Sequence, residues 1–216
     1  MNILLFGASG HIGSAIAGEL LSRGHSVTGV TRTGEIAGNS HEGLNVVAGD
    51  ATSADTVAEL SARGYDAVAS AVGPKLGVDD DHKIIVGAAN ALIEGLTRSG
   101  VRRVVVLGGA GSLEVSPGVK VIDNPNFPAV WKQNALAQSE ALGLYRKADA
   151  ALDWTFISPA AQIEPGERTG TYRVGGDQLV VDAEGQSRIS IADYAVAFAD
   201  VLERGDAIQS RITVAY

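Results

Sequence analysis

No cysteine occurs in the 216 residues, which excludes disulfides, thiol nucleophiles and cysteine-ligated zinc or iron–sulfur clusters together. Histidine is scarce too. His11, His25, His41 and His82 are scattered without metal-ligand spacing, so no metal site is expected. Positive charge is in deficit: 17 Lys and Arg against 25 Asp and Glu leave a net charge of -8. With no basic stripe to neutralise phosphates, a nucleic-acid partner is not expected. Apolar runs long enough to span a bilayer are missing, as are repeats, linkers and low-complexity segments. Met1 is followed at once by Asn-Ile-Leu-Leu-Phe, with no basic leader and no cleavage site. No membrane partner and a cytoplasmic location are therefore expected. What remains is a chain with 45% apolar and 19% charged residues. That suffices for a sizeable core in one domain, residues 1–216, with a small lobe from about residue 160.

Short apolar runs alternate with helix-length segments. The runs are Asn2–Phe6, Ser26–Thr31, Leu44–Ala48, Tyr65–Ala71, Arg103–Leu107 and Trp154–Ile157. Most are continuously apolar, the pattern of parallel strands covered on both faces. Helical patterns occupy Ile12–Arg23, Ser53–Arg63, Asp80–Ser99 and Ala129–Ala148. The first three stop at Gly24, Gly64 and Gly100, the glycine signature of a helix end. Asp81 or a neighbouring aspartate is placed to cap the third helix. Such alternation predicts an α/β fold with a doubly wound parallel sheet. Beyond Pro159 the pattern changes. Glu164–Glu167 is turn-rich, and Thr171–Val174 and Gln178–Asp182 read as short strands around Gly175-Gly176. Ile191–Glu203 reads as a helix and Arg211–Ala215 as a last strand.

The segment Gly7-Ala8-Ser9-Gly10-His11-Ile12-Gly13 follows a predicted strand and opens a predicted helix. In that context three glycines at this spacing point to a dinucleotide. Gly7 permits the tight turn, Gly10 admits the pyrophosphate to the backbone, and Gly13 lets helix and strand pack closely. Free N–H groups of the helix start then face the phosphates. Where NAD-selective chains carry an acidic residue, at the end of the second strand, this one has Thr31-Arg32-Thr33. Arg32 is suited to pair with a 2′-phosphate and stack on adenine, so NADP(H) is expected over NAD(H), the alternative being a solvated arginine. Asp50, after the third strand, either accepts from the adenine amino group or caps a helix. Ser70-Ala71-Val72-Gly73-Pro74 ends the fourth strand with small residues along which a cofactor fits, so Ala71, Val72 and Gly73 join the expected cofactor site.

With these pieces placed, the chain resembles the atypical short-chain dehydrogenase/reductases. It is most similar to the NAD(P)H-flavin reductase group, related to biliverdin reductase B and NmrA-like proteins. The resemblance covers nearly the whole chain. It rests on the glycine turn, Val106–Leu113 (VLGGAGSL), Leu152–Ala160 (LDWTFISPA), Glu167–Val174 (ERTGTYRV) and Ser187–Ala195 (SRISIADYA). It implies a Rossmann-like fold, a nicotinamide cofactor and reduction of flavins, quinones or similar conjugated acceptors. It also puts the turn Ser158-Pro159-Ala160 beside the nicotinamide and Ser112 at the family's active-site serine position. One departure stands out. The family's usual catalytic Tyr-x-x-x-Lys occurs nowhere: Tyr65, Tyr145, Tyr172, Tyr194 and Tyr216 all fail the spacing. If Trp131 holds the tyrosine position, Ala135 holds that of the lysine.

Keto–alcohol chemistry by that pair is thus not expected, and an epimerase or dehydratase would further need a larger substrate domain. Hydride transfer to a flavin or quinone asks the protein mainly to align two rings. The expected activity is therefore NADPH-dependent reduction of a small conjugated acceptor; the alternative is a non-catalytic NADP(H) sensor of the NmrA-like kind. Ser112 either binds a carbonyl or is a turn residue, and Trp131 either walls the acceptor pocket by stacking or staples its helix. Lys132 is expected in solvent. Tyr172 and Arg173 are placed to touch substrate or simply to pack, and Asp193 reads as a structural carboxylate at a helix start.

Overall fold

The computed structural model describes residues 1–36, 41–73 and 80–216. The chain runs β1 (Asn2–Phe6), α1 (His11–Ser22), β2 (Ser26–Thr31), β3 (Asn45–Ala48), α2 (Ala54–Ser61), β4 (Ala67–Ser70) and α3 (Asp81–Ser99). It continues through β5 (Arg103–Leu107), the hairpin β6 (Glu114–Ser116) and β7 (Val119–Lys120), a 3-10 turn and α4 (Ala129–Lys147). The last part holds β8 (Asp153–Pro159), β9 (Gln162–Glu164), β10 (Arg173–Gly175), β11 (Arg188–Ser190), α5 (Ile191–Arg204) and β12 (Ser210–Ala215).

The main sheet has the order β3-β2-β1-β4-β5-β8-β12-β10, parallel except that β10 is antiparallel to β12. This is the Rossmann-like α/β arrangement. The apolar runs explain it at the level of single residues. In β1, Ile3 and Leu5 face one core while Leu4 and Phe6 face the other, all fully buried. The two-residue period of a strand thus divides one apolar run between two helical layers. Strand β5 divides likewise, Val105 on one side and Val104 and Val106 on the other. Helices α1 and α5 cover the first face; α2, α3 and α4 cover the second.

Gly24, Gly64 and Gly100 all have positive φ (82°, 91° and 80°). Gly100 caps α3 where the sequence puts its end, whereas α1 and α2 stop at Ser22 and Ser61, short of the expected Arg23 and Arg63, with Arg23 and Ala62 as their caps. Asp80 stands at the N-cap of α3 without a side-chain capping bond; the Asp81 side chain and Pro74 lie outside the described residues. Two expectations need correction. Gln178–Asp182 forms no strand: Gln178 makes a single bridge to Glu114, and Leu179 donates to the Glu114 carbonyl (2.9 Å). The edge of β12 is already taken by β10, so this segment has no long partner to extend along. Glu164 belongs not to a turn but to β9, paired with Ser190 of β11.

The late segment is pinned to the rest by buried charge. Glu19 of α1, whose side chain is 6% exposed, accepts two bonds from Arg168 (2.7 and 2.8 Å) and one from Arg23 (2.8 Å). These arginine hydrogen bonds outweigh burial and hold its carboxyl below the usual range. Arg23 reaches on to Asp200 (2.7 Å) and Glu203 (2.6 Å) of α5. Among the described residues, no helix is long and apolar enough to cross a membrane.

Candidate functional site

The chain passes from β3, at one edge of the sheet, back across to β4, so strand order reverses between β1 and β4. Ligands of doubly wound sheets bind outside the carboxyl ends of strands at such a point. Gly7 leaves β1 there with φ +83°, and a Cβ on it would lie 2.6 Å from the Ala71 carbonyl oxygen and 3.0 Å from the Val72 nitrogen. The two strand ends therefore meet only because residue 7 has no side chain. A Cβ on Gly13 would strike the Gly7 carbonyl oxygen at 2.1 Å, so that glycine seats α1 on the turn. Gly10 differs: among the described residues, a Cβ there would have only the Gly7 oxygen near it, at 3.5 Å. The described residues thus leave the surface over Gly10 open.

Helix α1 starts at His11 with Gly10 as its cap and no side-chain capping bond, and its first turn carries no acid. Its leading N–H groups are left for an anion, favoured further by the helix dipole. Ser9, Gly10 and His11 are exposed, while Ile12 is half-buried against the core. The cradle fits a pyrophosphate in shape and in charge.

At the end of β2 the buried Thr31 hydroxyl accepts from the N–H groups of Gly34 (3.0 Å) and Glu35 (3.1 Å) and donates to the Glu35 carbonyl (3.1 Å). This turn presents Arg32 and Thr33 to solvent. Asp50 takes the Thr52 N–H (2.9 Å) and hydroxyl (2.7 Å) on its Oδ1. Those bonds, and then the charges of Arg32 and Lys83, hold its carboxyl below the usual range. The helix cap is Ser53, which accepts from the Thr56 N–H (3.2 Å), so Asp50 is not needed for that role. Oδ2 carries no hydrogen bond among the described residues and retains its acceptor capacity.

Ala71 is buried and Val72 half-buried, and a Cβ on Gly73 would meet no atom of the described residues within 4 Å. Pro159 ends β8 beside Val214 of β12. Next to it the buried Ser158 hydroxyl donates to the Gly109 carbonyl (2.9 Å), joining the ends of β8 and β5. The structure thus gathers Gly7, Gly13, Ala71 and Val72 at the switch point, and Arg32 beside Asp50 at one flank.

Ser112 goes elsewhere. Its hydroxyl accepts from Nη1 of the buried Arg211 (2.9 Å), a residue of β12, which lies two strands beyond β5. Arg211 Nε donates to Asp177 (2.6 Å). Trp131 stands in the first turn of α4 with 44% of its surface exposed, and Lys132 is exposed beside it. Ala135 is buried against Gly111, where an added Cβ would come 2.5 Å from that of Ala135. The helix position that would carry the family's lysine is closed by packing.

The late residues are engaged in the fold. Tyr172 donates to Asp200, and burial first, then that carboxylate, push its hydroxyl up to about 12. Arg173 binds the Val181 (2.7 Å) and Tyr216 carbonyl oxygens. Asp193 accepts from the Thr169 hydroxyl, the Gly170 N–H and the Tyr216 hydroxyl, each at 2.7 Å.

A glycine turn feeding an uncapped helix at the switch point of a doubly wound sheet defines a dinucleotide-binding protein of Rossmann-like architecture. The chain belongs to the NAD(P)H-binding family, whose model matches residues 7–201. It is 38% identical over 220 residues to the uncharacterized protein YwnB of Bacillus subtilis strain 168, covering 99% of this chain and 98% of that one. A solved structure from Burkholderia pseudomallei, provisionally described as an exported protein, is 45% identical, with full coverage of both chains and a TM-score of 0.89. Another, from Streptococcus pneumoniae TIGR4 and provisionally named an NADH-flavin reductase, is 32% identical with a TM-score of 0.84, covering 100% of this chain and 99% of that one. The resemblance to the NAD(P)H-flavin reductase group of atypical short-chain dehydrogenase/reductases is borne out.

Proposed function

We propose that this protein is an NADPH-dependent oxidoreductase that passes a hydride directly to a flavin, a quinone or a similar conjugated small molecule. The observation that carries the reading is the combination of a dinucleotide cradle with an α4 that offers no phenolic acid. Tyr145 is fully buried, Tyr172 and Tyr216 are bound to carboxylates, and Tyr194 donates to the Ile157 carbonyl (2.8 Å). Tyr65 lies next to Asp66, which accepts the Asn2 N–H at the start of β1, at the amino ends of the strands and so across the sheet from the cradle. Acceptors that spread the incoming charge over a conjugated ring need no such acid, because solvent protonates the reduced product. The flavin reductase name of the Streptococcus protein supports the same acceptor class.

Arg32, exposed at the end of β2, favours NADPH through its charge on the 2′-phosphate. Arg32→Glu is expected to lower kcat/KM for NADPH by about tenfold to a hundredfold, the worth of one charge-assisted contact. The same variant should leave NADH within a few-fold; equal losses with both cofactors would contradict the assignment. The test of the reading itself is NADPH oxidation by purified protein across free flavins and quinones, against Gly10→Asp. Turnover well above that variant is expected. NADPH binding with no turnover on any acceptor would favour the NADP(H) sensor instead.

A further inference from the structure

A small cavity of about 10 Å³ lies between α3, α4 and the carboxyl ends of β4 and β5. Its lining includes Ser70 and Val72 from the β4 end, Leu107 from the β5 end, and Gln138 and Tyr145 from α4. Most of the wall is apolar, yet two of the lining residues each carry a polar atom, Gln138 Oε1 and the Tyr145 hydroxyl, that is sealed from solvent and has no hydrogen-bond partner among the described residues. Leaving buried polar groups unpaired is costly, and two of them on residues that line one cavity call for a shared partner. The volume is that of a single water, and Ser70, itself 2% exposed, supplies a third polar side chain to hold it.

The two α4 residues are set for this. Tyr145 follows Gln138 by two helical turns, about 10 Å along the axis. Long helical side chains lean towards the helix N-terminus, which carries the phenol up towards Gln138. Burial pushes the Tyr145 hydroxyl up, so it stays protonated and is a donor. Its natural counterpart is the Gln138 carbonyl oxygen, through the water, and that orientation turns the amide N–H2 the other way. Gln138 also packs on the loop beyond β5: a Cβ on Gly109 would lie 2.9 Å from that of Gln138. The Gly109 carbonyl in turn takes the Ser158 hydroxyl. Gln138 therefore stands at the ends of β4, β5 and β8, one step past the switch point.

We propose that Gln138, its amide oxygen fixed inward by an internal water on Tyr145, donates its N–H2 to the carbonyl oxygen of the acceptor as that oxygen gains charge. This deepens the reductase reading and rests on it. In the step, the C4–H bond of the dihydronicotinamide breaks with its electron pair and a bond forms from that hydrogen to the quinone. NADPH is oxidised to NADP⁺, the quinone becomes the hydroquinone monoanion, and solvent supplies one proton. A fixed donor aimed at the developing oxyanion stabilises that monoanion without reorganising during the reaction. Gln138 would thereby do part of what the absent tyrosine does elsewhere in the family.

The test compares wild type with Gln138→Leu, Gln138→Glu and Tyr145→Phe, using NADPH and a naphthoquinone. Both Gln138 variants should lose about a hundredfold in kcat, the scale of one oxyanion donor, with KM for NADPH and the melting temperature little changed. Tyr145→Phe should lose less, since it only loosens the amide. A second readout needs no turnover: a hydroxynaphthoquinone bound to the NADP⁺ complex, titrated by its absorbance, should ionise at lower pH on wild type than on Gln138→Leu. Unchanged kcat and unchanged ionisation in Gln138→Leu, with wild type active, would overturn the role of Gln138 alone. A wild type that reduces no acceptor would overturn the reductase reading and this inference with it.

Discussion

Gly10→Asp is expected to fold with a melting temperature close to that of the native protein and to lose about a hundredfold or more in affinity for NADPH. The fold tolerates a side chain there because, among the described residues, only the Gly7 oxygen stands near the new Cβ, at 3.5 Å. The ligand does not: a carboxylate would sit at the start of α1, where the pyrophosphate meets the helix N–H groups. Like charges brought together across an interface cost several kcal/mol, and each 1.4 kcal/mol is about tenfold in affinity. Gly13→Ala separates the two functions of the turn. Its Cβ would strike backbone at 2.1 Å, so the cost falls on folding, about 3 kcal/mol or more. Thermal melting paired with a fluorescence titration of NADPH checks both. A Gly10→Asp protein that binds as wild type does would mean that the phosphates lie elsewhere.

The second large effect concerns stability. Asp193→Ala is expected to lose on the order of 3–5 kcal/mol, because three donors (Thr169, Gly170 and Tyr216) are left facing a hole. The same residue sits in the first turn of α5, where its backbone N–H donates to the hydroxyl of the N-cap Ser190 (2.9 Å). The three hydrogen bonds to Asp193 prevail over burial, which acts the other way, and hold its carboxyl below its ordinary value. A carboxyl lowered on folding contributes stability fully above its unfolded pKa, about 3.9, and loses it as pH falls through the lower folded value. Urea unfolding should therefore show a wide gap between wild type and Asp193→Asn at neutral pH, closing as the pH drops below about 4. A gap that stays constant into acid would rule out the charge as the source.

The strands that position the site are legible because they are buried on both faces. Asn2–Phe6, Ser26–Thr31 and Arg103–Leu107 are read to the residue, since a run such as Ile3–Phe6 has no polar face to blur it. Strands β9 and β11 are not legible. Gln162 and Glu164 are exposed, and the pair is held by backbone bonds of three residues each, which leave no apolar signature. The reverse error, at Gln178–Asp182, has its source in strand-like composition in a segment that makes one isolated bridge, to Glu114, and is otherwise held by side chains such as Arg173 and Arg188.

The cofactor turn is legible for a steric reason: residue spacing alone encodes which glycines touch backbone and which lie open. The acceptor side is less so. Gln138 leaves one trace, a glutamine on the stripe Ala135, Ala141, Leu142 and Tyr145 that is otherwise buried and mostly apolar. Its unpaired oxygen arises only where α3, α4, β4 and β5 meet, and no local pattern records that. Ser112 shows the same limit from the other side. Its place after β5 says nothing of Arg211, ninety-nine residues later, which donates to its hydroxyl.

The most direct test of the account is a single-turnover reaction in the absence of oxygen. Protein loaded with NADPH, either ordinary or deuterated at the transferred C4 position, is mixed with a quinone and the loss of reduced-nicotinamide absorbance is followed. Direct hydride transfer predicts rapid oxidation that slows with deuterium and is lost in Gly10→Asp. Tight NADPH binding with no oxidation beyond the rate without protein would contradict it.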